Sequence, residues 1–326
     1  MVDARLTGAQ VAFVFPGQGS QFVGMGAALY RTSDAARAIF DQADSQLGFA
    51  LSRLCFDGPG EELDDTVNSQ PAILTMSAAA LAAMNEQPAG TEQMLVPIMV
   101  AGHSLGEFTA LIAASVLSFA ETLSLVRERG SLMKEAGDER PGGMAAVIGL
   151  DDDTLVDVVN EAGSEGIVRI ANANCPGQTV ISGEVDALLR AMELAKAKGA
   201  KRVARLSISI ASHSPLMERA SAQLNTAIDQ LTLNAPRMPI VANTTGLPMT
   251  SAEEVREELR HHVERPVNWT RTIVEMTGAG VDTFIEIGPG TILSGLIKRI
   301  DRNVTTLGLG DLGVPTDERR AKAQAS

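Results

Sequence analysis

One pentapeptide, Gly102-His103-Ser104-Leu105-Gly106, restricts the fold of this chain more than any other stretch. The apolar run Met94–Ala101 leads into it, and Phe108–Ala114 follows with the look of a buried helix. Strand, sharp turn and helix with serine at the turn make the G-x-S-x-G pattern of a nucleophile elbow. The glycines are there because the turn is tight and the backbone is strained at the serine. The helix beginning at the turn aims its free amides at the serine, where they favour negative charge on a bound carbonyl oxygen. A pattern this short also arises by chance, usually in loops. Here it occurs once and with the flanks that the elbow needs.

The chain of 326 residues is expected to form one large domain with an insertion, or two domains. Hydrophobic residues, 45% of the total, supply a substantial core, whereas 3% aromatics leave little to stack on bases. A net charge of -13 also disfavours nucleic acid, so an anionic partner needs a local basic patch. Cys55 and Cys175 have neither metal-site spacing nor a disulfide framework, and no metal site is expected. A cytoplasmic location fits the cysteines. It also fits the opening residues, which form no secretory apolar segment, and the lack of any run of membrane-spanning length.

Val11–Phe15 reads as a buried first strand running into Pro16-Gly17-Gln18-Gly19-Ser20-Gln21. The dinucleotide fingerprint fails in that loop because its third glycine would fall at Phe22. The loop is either a plain tight turn or a source of amides for an oxyanion. Residues 34 to 84 look helical around a loop at Asp57–Gly60, Gln87 to Gln93 marks a turn, and Phe119 to Lys134 reads as an amphipathic helix. Arg127 and Arg129 on that helix are expected to be solvated.

After Pro141-Gly142-Gly143 the rhythm changes. Met144–Gly149, Ile167–Ala171, Thr179–Ser182 and Arg202–Ser209 read as strands, with helices over Asp151–Ala162 and Val185–Lys198. The order β-α-β-β-α-β is the ferredoxin-like unit. Residues 140–209 are therefore expected as an insertion between 1–139 and 210–326, which together form a larger α/β core. In the second part, a helix is expected from Ala211–Pro215 to about Leu231. Pro239–Asn243 reads as a strand, Glu253–Val263 as a helix, Val267 onward as the start of another helix, and Thr283–Gly288 as a last strand leading into a helix over Ile292–Arg299. From Asp311 onward the polar tail is expected to fray. No internal repeat stands out.

A serine nucleophile needs a base, and four histidines are available. His103 lies in the elbow beside the serine, so its side chain should point elsewhere. His261 and His262 end a polar helix and read as surface residues. His213, in Ser212-His213-Ser214-Pro215, is the leading base, with a buried structural histidine as the plain alternative. No Asp or Glu stands out as the group orienting the imidazole, and a backbone carbonyl can do that instead.

Six segments occur in order: Gly17–Gln21, Gly102–Glu107, Arg129-Gly130, Asn172-x-Asn174-x-Pro176-Gly177-Gln178, Ser212-His213-x-Pro215-Leu216-Met217 and Glu286-Ile287-Gly288-Pro289-Gly290. Together they resemble the malonyl-CoA:acyl carrier protein transacylases and the related acyltransferase domains of polyketide synthases, over nearly the whole chain. The resemblance implies an α/β-hydrolase-like core with an inserted ferredoxin-like subdomain. It implies Ser104 as nucleophile, His213 as base, and the amides of Gln18 and Leu105 as the oxyanion hole. Arg129 would hold the malonyl carboxylate in a bidentate pair. Asn172, Asn174 and Asn268 would contact substrate.

Asn268 stands where many free-standing members have glutamine, and in the family the backbone carbonyl at that place orients the histidine. Ile210-Ala211-Ser212-His213 is compatible with either malonyl or methylmalonyl preference. No bound cofactor is implied. The substrates are malonyl-CoA and the phosphopantetheinylated acyl carrier protein, and a monomer is expected. Lys196, Lys198, Lys201, Arg202 and Arg205 form the densest basic cluster, either a carrier-docking patch or an ordinary helix C-terminus. The rival readings are an acyl-thioester hydrolase on the same fold and an inactive module that only binds carrier protein.

Overall fold

The computed structural model describes residues 6–86 and 95–317. The turn expected over Gln87–Gln93 lies outside them. The chain begins β1 (Val11–Phe15), α1 (Ala27–Thr32), α2 (Asp34–Leu47), α3 (Leu51–Asp57), α4 (Gly60–Asp64), α5 (Thr66–Asn85), β2 (Met99–Gly102), α6 (Gly106–Ala113) and α7 (Phe119–Glu139). The middle holds β3 (Gly142–Ile148), α8 (Asp152–Ala162), β4 (Val168–Cys175), β5 (Gln178–Glu184), α9 (Val185–Ala197) and β6 (Arg202–Arg205). It closes with α10 (Glu218–Gln230), β7 (Ile240–Val241), β8 (Pro248–Met249), α11 (Ala252–His261), α12 (Trp269–Gly278), β9 (Thr283–Glu286), α13 (Ile292–Ile300) and β10 (Thr305–Gly308).

Two sheets divide the work. The first has strand order β10-β9-β1-β2-β7-β8 and is parallel except for the last pair. Every residue of β1, β2 and β9 is buried, as a parallel sheet covered by helices on both faces requires. Phe15 pairs with Gly102, so the loop after β1 and the elbow after β2 leave the sheet side by side at its carboxyl edge, where open α/β sheets place their sites. The long α5 is buried on all sides over residues 69–80 and backs the elbow. Ser118 and Glu121 start α7 with a capping box.

The second sheet is antiparallel, in the order β4-β5-β3-β6, and with α8 and α9 makes the ferredoxin-like arrangement. One face packs Val147, Ile181 and Val168 against Leu155, Val158 and Leu188 of its two helices. The other face carries Met144, Ala171 and Val180, which turn toward the first sheet. Edge strand β4 is stitched to the larger part by Ala173 N–H to Val267 C=O at 2.9 Å and Val267 N–H to Ala171 C=O at 2.8 Å.

Several expectations are corrected. α7 runs on to Glu139, because no breaker intervenes before Pro141. The strand expected over Pro239–Asn243 has only two ladder residues, and a 3-10 turn at Pro215–Met217 precedes α10. β10 was not anticipated. The tail is held at least to Asp317, whose carboxylate accepts the Ala28 N–H at 2.8 Å. Residues beyond 317 lie outside those described.

Candidate active site

The elbow glycines answer to distances. A Cβ on Gly102 would sit 1.9 Å from the Gly106 carbonyl carbon, and one on Gly106 would sit 1.9 Å from the Phe15 oxygen. A Cβ on Gly17 would lie 2.3 Å from the His103 oxygen, so that glycine lets the first loop close on the elbow. Ser104 has φ of 48°, a left-handed conformation that costs an L-residue about 1–3 kcal/mol.

Ser104 Oγ–H donates to His213 Nε2 at 2.9 Å. His213 Nδ1–H donates to the Arg265 carbonyl at 2.9 Å, which fixes the tautomer and leaves Nε2 as the acceptor. The orienting carbonyl is therefore Arg265 and not Asn268. The turn after α11 passes beneath the imidazole three residues earlier than expected. Asn268 instead donates its side-chain amide to Thr244 C=O and its backbone N–H to Asn243 C=O. It is not among the residues that line the cavity around Ser104. Burial and the nearby Arg129 cation hold the His213 pKa down to about 3, so the imidazole is neutral at physiological pH.

Arg129 is 1% exposed, contrary to the solvated position expected from periodicity. It lies on the buried stripe of α7 with Val126 and Met133. Its Nη1 donates to Gln70 Oε1 at 2.5 Å and its Nη2 to Ser104 Oγ at 3.2 Å. Among the described residues its Nε has no partner. Burial lowers its pKa to about 9, which leaves it cationic at neutral pH.

Gln18, Leu105, Asn172 and Asn174 line the same cavity as Ser104, His213 and Arg129. Asn174 Oδ1 accepts from His103 Nε2–H at 2.8 Å, which turns that imidazole away from the serine hydroxyl. Met144, Val180, Leu206 and Ile208 from the small sheet and its exit, with Leu293 and Leu296 of α13, make an apolar approach. Lys196, Lys198, Lys201, Arg202 and Arg205 are all exposed and none lines the cavity. The strand that carries the last two leads to Leu206 and Ile208, which do.

Three residues under the elbow have surroundings that the sequence did not announce. His262, expected at the surface, is fully buried, with its ring 5.1 Å from Phe108 and 6.1 Å from His213. The α11 C-terminus turns inward there and only His261 stays near solvent, between Glu257 and Glu264. Glu107 is also fully buried, and burial with the nearby Glu258 pushes its pKa well up. Asn243 contacts both sides of the elbow. Its one sequence signal was an asparagine, a residue poor in strands, closing an apolar run.

Fold and elbow together are those of an acyl transferase domain, and the family model of that description matches residues 12–307. The chain is 43% identical to the malonyl CoA-acyl carrier protein transacylase of Bacillus subtilis (strain 168), over 93% of this chain and 94% of that one. It is 41% identical to the protein of that name from Escherichia coli (strain K12), over 93% and 96%. The solved transacylase from Coxiella burnetii superposes with a TM-score of 0.90 at 38% identity, covering 94% of this chain and 95% of that one. A malonyl-transacylase solved with its type II polyketide synthase acyl carrier protein gives 0.88 at 39%, covering 92% and 96%. The chain belongs to the acyl transferase family and, within it, to the malonyl CoA-acyl carrier protein transacylases.

Proposed function

We propose that this protein moves a malonyl group from malonyl-CoA to the phosphopantetheine thiol of acyl carrier protein through a malonyl ester on Ser104. The observation that carries this reading is Arg129. It is a buried cation 3.2 Å from the Ser104 hydroxyl, with no carboxylate in salt-bridge contact among the described residues. A buried guanidinium met only by the neutral Gln70 and Ser104 side chains and by the more distant Glu107 is costly, and a bound malonyl carboxylate relieves that cost through two parallel N–H donors.

In the first half-reaction His213 Nε2 takes the Ser104 proton as Oγ attacks the thioester carbonyl. The amides of Gln18 and Leu105 receive the oxyanion. The tetrahedral adduct collapses, the CoA sulfur leaves and takes the proton from His213, and the ester remains. In the second half, His213 takes the proton of the carrier's thiol and the sulfur attacks the ester carbonyl. The Ser104 oxygen then leaves and recovers its proton. Asn174 positions His103, and Asn172 lines the acyl cavity. No step draws on a metal or bound cofactor. The apolar approach between the sheets suits a pantetheine arm, and residues 140–209 act as the subdomain that forms one wall of it.

Lys196, Lys198, Lys201, Arg202 and Arg205 are the surface we assign to the acidic carrier. The protein works as a monomer in the cytoplasm and does not engage nucleic acid. Its acidic balance supports the last point, and no helix among the described residues is long and apolar enough to cross a membrane. Transferase and hydrolase separate in one experiment. Protein preloaded with malonyl-CoA and freed of excess is mixed with holo-carrier or with buffer. Transfer requires rapid appearance of malonyl-carrier and a long-lived ester in buffer. Equal loss of the ester with and without carrier would mean that water is the true acceptor.

A further inference from the structure

Asn243 follows the short strand β7, is 2% exposed, and has contacts that the steps above leave unused. Its Oδ1 accepts the Ser104 N–H at 2.7 Å. Its Nδ2 donates to the Gly102 carbonyl at 2.7 Å and to Glu107 Oε2. One carboxamide thus bridges the backbone on both sides of His103. Its own amide is fixed in turn, because Asn243 N–H donates to Glu107 Oε2 at 3.0 Å and its carbonyl accepts the Asn268 N–H at 2.8 Å.

We propose that Asn243 is a positioning residue for the reaction, a clamp that holds Ser104 in its left-handed conformation with Oγ facing His213 and Arg129. The elbow residue has φ of 48°, a conformation that a serine leaves unless its surroundings fix it. Glycines make the turn sterically open, but openness does not select one conformation. Asn243 supplies the selection, with an acceptor for one arm of the turn and a donor for the other. Only a carboxamide of this reach does both. A carboxylate would set oxygen against the Gly102 carbonyl. A misplacement of about 1 Å at a nucleophile costs on the order of a hundredfold in rate.

The inference rests on Ser104 as the nucleophile and is tested apart from it. Single-turnover acylation by malonyl-CoA is measured for Asn243→Ala and Asn243→Asp, with the concentration giving half-maximal rate and with thermal melting. The acylation rate constant should fall at least about tenfold in both variants at pH 8, with half-saturation changed by less than about threefold. In Asn243→Asp the rate should recover as pH is lowered toward 5. A protonated carboxyl again offers one donor and one acceptor, while Glu107 and Glu258 face it from α6 and α11, and His262 in the turn after α11 lies against Glu107. A merely space-filling asparagine would lower the melting temperature without that recovery. Unchanged acylation in a folded variant, or a loss at pH 8 that lowering the pH does not reverse, overturns the proposal. Should both variants fail to fold, Asn243→Ser, whose hydroxyl is too short to bridge the two arms of the turn, is the fallback, and an unaltered rate constant there overturns the proposal equally. If the parent protein itself takes no label at Ser104, the nucleophile assignment fails instead.

Discussion

At the scale of single residues, Arg129 separates what periodicity shows from what chemistry requires. On the helical wheel it looked like one more solvated arginine, yet it shares a stripe with Val126 and Met133 and is buried. The ordered motifs pointed to it, and the amphipathic pattern did not. Ser104 was legible because strained elbows need specific glycines, and His213 because few histidines were available. Its orienting group was not legible, since a carbonyl leaves no mark on a sequence and Arg265 holds the position assigned to Asn268. His262 misled because a polar helix end normally faces water, whereas this one turns under the elbow.

On the proposed role of Arg129, removing its guanidinium leaves the malonyl carboxylate unpaired while Ser104 and His213 remain. Charge-assisted bonds of this kind contribute about 1.5–3 kcal/mol. Arg129→Ala should therefore lower kcat/KM for malonyl-CoA by about a hundredfold or more and spare acetyl-CoA. Arg129→Lys should restore only part, because an ammonium lacks the fork. Steady-state comparison of both thioesters on both variants is the check, and equal losses for the two acyl groups would assign Arg129 to structure instead.

At the scale of elements, the elbow's strand and helix and most of the β-α-β-β-α-β unit were legible because β2, β3 and β5 are nearly continuous buried runs and α8 and α9 each bury one face, although β6 has no buried residue. The short strands were harder. β7 has two ladder residues, and β10 has only one fully buried position, Leu307, so neither declares itself by alternation. The elbow gives the sharpest prediction at this scale. Gly106 packs α6 so closely on β1 that an added methyl meets the Phe15 carbonyl at 1.9 Å, and backbone must shift to admit it. Gly106→Ala should destabilise the fold by about 2–4 kcal/mol. Urea denaturation measures the loss. A midpoint equal to the parent's would show that the strand and the helix part without cost.

At the scale of the molecule, Ser104 leaves the edge of the parallel sheet after β2, while His213 lies on the chain returning from β6 of the small sheet, whose residues form one wall of the cavity. Arg299 Nη1 reaches Gln178 Oε1 across the two at 2.5 Å. With a net charge of -13 the protein repels an anionic partner in general, so on the proposed assignment docking of the carrier depends on where positive charge collects. Lys201→Glu with Arg202→Glu should raise KM for carrier several-fold at low salt and leave malonyl loading unchanged. A KM equal to the parent's would return the cluster to an ordinary helix end. The central claim, that the acyl group passes through Ser104, meets its most direct test in intact-protein mass after brief exposure to malonyl-CoA. The parent should gain the mass of one malonyl group, mapped by proteolysis to Ser104 and discharged by holo-carrier, and Ser104→Ala should gain none. The same adduct at undiminished yield in Ser104→Ala would contradict the account.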